Sequence, residues 1–488
     1  GTAIYLRGGS LTQASGATLS VTSAIAEGTT WAQGDTSGDG SANIYNGVYV
    51  RGGSLTCNGT LNVTHTGMEN DLTSSTSWPS WEDPPYYDYQ NQVIKSYAVR
   101  VEGTANTSVT INQGKITNLI GGGLYVTGAM GQQNVDIAAL SFNDIVKDRS
   151  TVVDLVNVTI QTAGVGDRVT RNIQSNWDYY LSTEGGHAVE IDGGVLRVSD
   201  GVYTARQGDG IRIQGGIAFI EGGCFVGQDD GASLPGAGAS YAFKVYGGHA
   251  RVNGGIFGRE SGESTNYQGN GAFIMQGNAY ITRANIQAGG TTGFGVWTDA
   301  TVTFTPADSA TNTIYVYGAS TGMTLENGNS YPELEVTING GTFEAGKQGN
   351  PYGIWYGNRN ATLTITGGTF TGDDAGLRID ENPGQIRYDR QYNPWPPEVR
   401  YTWYDERNIH ISGGTFSSIN DGVGGLRVCD ILACVFNEPE GGYNTSSNIS
   451  NVTDANGISV SGAWNGDANY DTGINSSLSR GEVTVKKS

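Results

Sequence analysis

Two stretches place oxygen-bearing side chains at alternate positions ahead of a glycine, a pattern that can wrap a calcium ion. The first is Asp35-Thr36-Ser37-Gly38-Asp39-Gly40, with Asp35, Ser37 and Asp39 as ligands; its twelfth position is Asn46, not an acid. The second, looser match is Asp467, Asn469 and Asp471 ahead of Gly473. Each reads either as a Ca2+ site or as a polar, glycine-rich turn. Acidic residues also recur in turns at Asp209, Asp229-Asp230, Asp373-Asp374 and Asp421. Asp-Gly is good turn chemistry in its own right, so these read as turns.

Aromatic residues gather outside the regular pattern. Trp78, Trp81, Tyr86, Tyr87 and Tyr89 form one group, Trp177 marks a second, and Tyr392, Trp395, Trp403 and Tyr404 form a third. A flat ring can cover the C–H face of a sugar, or it can pack against the protein's own wall or another copy of the chain. These residues are the expected ligand-binding positions, for glycan or for self-association. Four cysteines are present. Cys57 and Cys224 sit alone in strand patterns and read as inert thiols. Cys429 and Cys434 lie across an expected corner and could form a local disulfide.

The elements that carry these residues follow from a repeat. Gly-Gly-x-(Phe/Leu) occurs at Gly8-Gly9-Ser10-Leu11, Gly52-Gly53-Ser54-Leu55, Gly193-Gly194-Val195-Leu196, Gly222-Gly223-Cys224-Phe225 and Gly254-Gly255-Ile256-Phe257. It returns as Gly-Gly-Thr-Phe at 340–343, 367–370 and 413–416. A short alternating strand opened by Gly or Ala precedes it, as in Ala188-Val189-Glu190-Ile191 and Gly376-Leu377-Arg378-Ile379. Period-two alternation means one face buried and one wet. Three short strands per 22–32 residues make one coil, and a coil buries its apolar edge only by stacking. The expected fold is all-β: a single right-handed parallel β-helix over residues 1–488, with about 13–14 coils at about 4.8 Å per coil. Phe343, Phe370 and Phe416 should stack inside it. Insertions are expected at about 67–95, 164–186 and 381–408.

Net charge is −20, which argues against nucleic acid as a partner. No apolar run is long enough to span a membrane. Gly1 opens within a strand pattern, as in a mature or trimmed chain. Strand patterns at both ends, Ile4-Tyr5-Leu6 and Glu482-Val483-Thr484-Val485, suggest end-to-end stacking of copies into a filament.

The Gly-Gly-Thr-Phe coils resemble the pectate-lyase-like β-helix superfamily, especially the repeat-bearing surface proteins and adhesins of bacteria. The likeness is one of repeat and covers nearly the whole chain. Polygalacturonase-type members carry N-x-D, G-D-D, G-H-G and R-x-K elements. Here Gly372-Asp373-Asp374 matches one of them; His187 and His249 follow Gly-Gly but lack the trailing glycine, and no R-x-K lies near. Lyase-type members use calcium and an outer-wall base, and Arg212, Arg378 and Arg427 stand at outward positions of first strands. The resemblance brings no intact catalytic set, and the four histidines are expected at the surface. The function expected is an extracellular or cell-surface structural or adhesive solenoid without catalysis. The alternative is a carbohydrate-binding or polysaccharide-degrading β-helix, including a phage tailspike.

Overall fold

The computed structural model describes residues 2–24, 46–66, 97–118, 121–131, 135–145, 147–162, 168–172, 180–184, 186–205, 208–227, 240–258, 270–289, 292–307, 313–325, 334–346, 352–357, 361–373, 375–379, 387–390, 399–402, 408–411, 413–418, 426–428, 448–449, 452–454, 459–460 and 482–485. The fold is a right-handed parallel β-helix of three walls. The chain divides into two compact units, Gly1–Phe273 with Gln287–Gly289, and Ile274–Ile286 with Gly290–Ser488.

In the first unit the first wall is built from Ile4–Leu6, Asn46–Val50, Tyr97–Gly103, Gly122–Gly128, the opening halves of Val189–Val198 and Ile211–Ile220, and Tyr241–Val245. Neighbours pair in parallel, with Val48 on Val99, Val99 on Leu124, Leu124 on Val189 and Val189 on Ile211. These β-branched and aliphatic side chains fill the lumen with no exposed surface. On the third wall Val63, Ile116, Ile160, Tyr203, Phe225 and Phe257 stand in register. Its aromatic end is a stack, with ring centroids 4.8 Å apart for Tyr203 and Phe225 and 5.1 Å for Phe225 and Phe257.

The second unit repeats the plan. Phe294, Met323, Ile354, Leu377 and Leu426 align on its first wall. On its third wall Phe343 and Phe370 stack at 5.4 Å, and Phe370 and Phe416 at 4.8 Å, as the repeat requires. Gly414–Ser418, the last of that parallel ladder, takes an antiparallel partner in Glu482–Val485.

The Gly-Gly phrase serves two different corners of the coil. Gly8-Gly9, Gly52-Gly53 and Gly193-Gly194 turn the first wall into the second; the pairs at 222, 254, 340, 367 and 413 turn the second into the third. A coil therefore runs from Gly193 to Gly215, and the step from Gly193 to Gly222 crosses from one corner to the other. Both corners place the second glycine at positive φ, for example 79° at Gly53 and 102° at Gly223. At Gly53 a Cβ would also fall 2.1 Å from the carbonyl oxygen of Gly9 on the neighbouring coil, so only glycine fits.

The second and third expected insertions each contain an antiparallel pair, Arg168–Asn172 with Tyr180–Glu184 and Arg387–Arg390 with Val399–Thr402. A further segment between Gly128 and Thr151, which the repeat does not announce, packs on the second wall. Asp154, Arg197, Phe219 and Arg251 form an outward column there. The Arg197 guanidinium lies 4.2 Å over the Phe142 ring and is held by both carboxylate oxygens of Asp154, at 2.8 and 2.5 Å. Arg251 donates to the carbonyls of Ala138 and Leu140, each at 2.8 Å. Arg251→Ala should make 135–145 the first site of limited proteolysis while moving global stability by less than about 1 kcal/mol, because the loss is confined to a locally opening segment. Mass mapping of the first cuts checks this.

Candidate functional site

Alternation on the first wall of the first unit sends every second side chain outward, and register stacks those side chains in one column. Tyr5 stands on Tyr49, Tyr49 on Arg100, Arg100 on Tyr125, Tyr125 on Glu190, Glu190 on Arg212 and Arg212 on Lys244. Tyr97, Tyr241 and Tyr246 flank it. Rings dominate the first layers of the column and charged side chains the last three.

Arg100 is wedged among Tyr125, Tyr49 and Tyr97, its guanidinium carbon 5.0, 5.8 and 5.9 Å from the ring centroids. Its Nε donates to Glu102 at 3.2 Å, and the Tyr49 hydroxyl donates to the same carboxylate at 2.5 Å. Burial, then that bond to Glu102, pushes the Tyr49 phenol up to about 12, so it stays a donor. Tyr97 stacks on Tyr125 at 4.8 Å and donates to Glu190 at 2.8 Å, and Gln214 holds the other Glu190 oxygen. Lys244 lies 4.8 Å from both the Tyr241 and Tyr246 rings, and Arg212 lies 4.6 Å over Tyr246. Such contacts place cations on the electron-rich ring faces.

At the wall's edge His187, Asp209 and Arg212 meet. Nε2 of His187 lies 2.8 Å from Arg212 Nη1, and Nδ1 lies 2.9 Å from the Asp209 backbone N–H and 3.3 Å from Asp209 Oδ2. The other Asp209 oxygen accepts from the Tyr241 N–H at 2.8 Å. Both ring nitrogens face N–H donors, an arrangement that disfavours a doubly protonated ring. Burial, reinforced by Arg212 and Lys244, holds the imidazole well below its ordinary value. A neutral ring with both nitrogens engaged is a poor general base.

Two expectations need correction. Arg212 points outward as expected but is buried, because Tyr246 and the Lys244 layer cover it. The histidines are not all at the surface: His65 and His187 are buried and His249 is half-buried. His65 faces the lumen, in register with Ser23 and Asn118, and its Nδ1 lies 2.6 Å from the Ser23 hydroxyl. Burial lowers its pKa to about 4. Both buried histidines favour the neutral ring when folded and have the ordinary value of about 6.5 when unfolded. Their contribution to stability is therefore full above pH 6.5 and is lost as pH falls from there toward 4. The urea midpoint should fall over that range, with a slope of up to ~1.4 kcal/mol per pH unit per histidine, and His65→Asn should flatten it. A midpoint level between pH 7 and 4.5 would contradict this.

Cys57 and Cys224 are buried and form no disulfide, as expected for inert thiols, and burial pushes the Cys57 thiol up to about 11. Arg378 stacks on Tyr352 in the second unit, 4.8 Å from the ring, and donates to its hydroxyl. It stands in register between Trp355 and Arg427. The other expected site residues lie outside the described residues: Trp78, Trp81, Tyr86, Tyr87, Tyr89, Trp177, Tyr392, Trp395, Trp403, Tyr404, the two calcium sets Asp35, Ser37, Asp39 and Asp467, Asn469, Asp471, and the pair Cys429 and Cys434. Among the described residues no group of three or more His, Cys, Asp or Glu is arranged to hold a metal ion. None of their helices is long and apolar enough to cross a membrane. Comparison with protein-family models, curated proteins and solved structures returned no match.

Proposed function

We propose that the protein is an adhesive β-solenoid, extracellular or on a cell surface, that binds polysaccharide along its first wall without cleaving it. The observation that carries this reading is the outward column from Tyr49 through Arg100, Tyr125, Glu190 and Arg212 to Lys244. Coils repeat at about 4.8 Å, close to the rise of one pyranose along a chain, so successive layers can address successive sugars. Tyr5, Tyr49, Tyr241 and Tyr246 keep accessible ring surface for stacking and Gln214 is exposed for hydrogen bonding, while the buried Arg100, Tyr125, Glu190, Arg212 and Lys244 beneath hold them in place.

The aromatic stretch Trp78–Tyr89 precedes Tyr97 in sequence, and Trp177 precedes His187. We include both stretches in the binding region because each leads in sequence into a strand that carries this column. Cleavage would need an acid or base presented to the sugar, whereas His187 is buried with both nitrogens engaged, which favours binding alone. Long glycan chains of the kind this wall suits are found outside cells, hence the location.

A glycan array followed by calorimetry tests the reading. A hit should weaken at least tenfold in Tyr49→Ala, with the chain length of the recovered glycan unchanged. An array without hits, or shortened chains, would count against it.

A further inference from the structure

The cations of the first wall are held in unlike ways. Arg100 donates to a carboxylate, Glu102, at 3.2 Å. Arg212 is buried beside a titratable ring: its Nη1 lies 2.8 Å from His187 Nε2, and its guanidinium lies 4.6 Å over Tyr246. Tyr246 is half-buried, and Lys244 meets the same ring at 4.8 Å. The seat of Tyr246 therefore depends on whether Arg212 can stay against His187.

Resting on the glycan-binding reading above, we propose that His187 is an acid-operated latch on the first wall: a second ring proton parts His187 from Arg212, unseats Tyr246 and weakens the hold on the bound chain. A neutral ring can offer Arg212 a lone pair. A doubly protonated ring carries an N–H on both nitrogens, and a guanidinium has no acceptor to receive one. Asp209 Oδ2, 3.3 Å from Nδ1, can receive a proton on that side of the ring only. The other charged groups around the ring do not take over on the Arg212 side. Lys244 adds to the repulsion, Glu190 is engaged by Tyr97 and Gln214, and Asp192 by Tyr125. The preceding strand, Gly122–Gly128, carries no acid or base except the Tyr125 phenol, which burial keeps protonated. The closed wall thus favours the neutral ring, while an opened wall returns the ring to its ordinary value of about 6.5. Each pH unit below that value favours opening by up to about tenfold, or about 100-fold by pH 4.5.

Hydroxyl-radical footprinting of the full chain at pH 7 and pH 4.5, with far-ultraviolet circular dichroism at each pH, tests the latch without any ligand. Labelling of Tyr246 should rise at least threefold at pH 4.5, while labelling of the lumen residues Tyr203 and Phe225 and the β-sheet signal stay level. In parallel, affinity for the best glycan from the array should fall at least tenfold between the two pH values. His187→Gln keeps a carboxamide oxygen that can accept from Arg212 but does not titrate, so it should hold both readouts level. His65→Asn, in the lumen, should respond to acid in both readouts as the parent does. Unchanged Tyr246 labelling in the parent, a His187→Gln protein that still opens in acid, or loss of the β-sheet signal before Tyr246 is exposed overturns the proposal. Should His187→Gln not fold, Tyr246 labelling of the unaltered protein decides alone. Glycan bound equally at both pH values would remove the latch and leave the adhesive reading standing. Tyr246 exposed in acid with no glycan bound at any pH would remove the adhesive reading and leave the latch.

Discussion

Phe225→Ala is expected to destabilise the first unit by about 3–5 kcal/mol. The side chain has no exposed surface and lies between Tyr203 and Phe257, with ring centroids at 4.8 and 5.1 Å. Truncation removes the transfer free energy of the ring and leaves a hole that stacked coils close poorly, since each backbone is pinned to its neighbours by a parallel ladder. It also removes two aromatic stacks, worth roughly 0.5–1.5 kcal/mol each beyond the buried area. Phe225→Leu, which keeps most of the volume, should cost much less. Urea unfolding followed by circular dichroism measures both. A Phe225→Ala loss below about 1 kcal/mol would mean that the column is not the packed spine described here.

Asp209→Ala should be nearly as damaging, by about 3–5 kcal/mol, for an electrostatic reason. Asp209 accepts the Tyr241 N–H at 2.8 Å, faces His187 Nδ1, and lies in the coil of Arg212, next to that of Lys244. Without the carboxylate, buried cations lose their counter-charge and a buried N–H loses its acceptor. Asp209→Asn keeps an oxygen for Tyr241 and should retain part of the loss-free stability. Equal losses in Asn and Ala would assign the effect to the charge; a loss only in Ala would assign it to the hydrogen bond. A harmless Asp209→Ala would show that the cluster tolerates an uncompensated charge and would undercut the structural role given to it.

The fold was legible because each coil repeats the same requirement. Alternating strands such as Ala188-Val189-Glu190-Ile191 declare which face is buried, and Phe343, Phe370 and Phe416 recur at one register position. The two Gly-Gly corners look alike in sequence for a physical reason: Gly194 and Gly223 both adopt positive φ ahead of an inward apolar residue. The outward positions of Arg212 and Glu190 were likewise legible, but not their burial. Alternation names a face and is silent about what covers it, here Tyr246 and the Tyr97–Tyr125 stack. His65 shows the same limit from the other side. It continues the inward positions of Leu61 and Val63, yet its polarity suggests the surface. The segment around Phe142 carries no repeat phrase, and the partner that fixes it, Arg251, is remote in sequence.

The most direct measurement is hydrogen exchange of the full chain with and without the best glycan from the array. Added protection should concentrate in 97–103, 122–128, 188–192, 210–214 and 241–246, the strands of the first wall that carry the column. Protection confined to the second wall at 151–155 and 249–252, or none with a glycan that binds, would contradict the account.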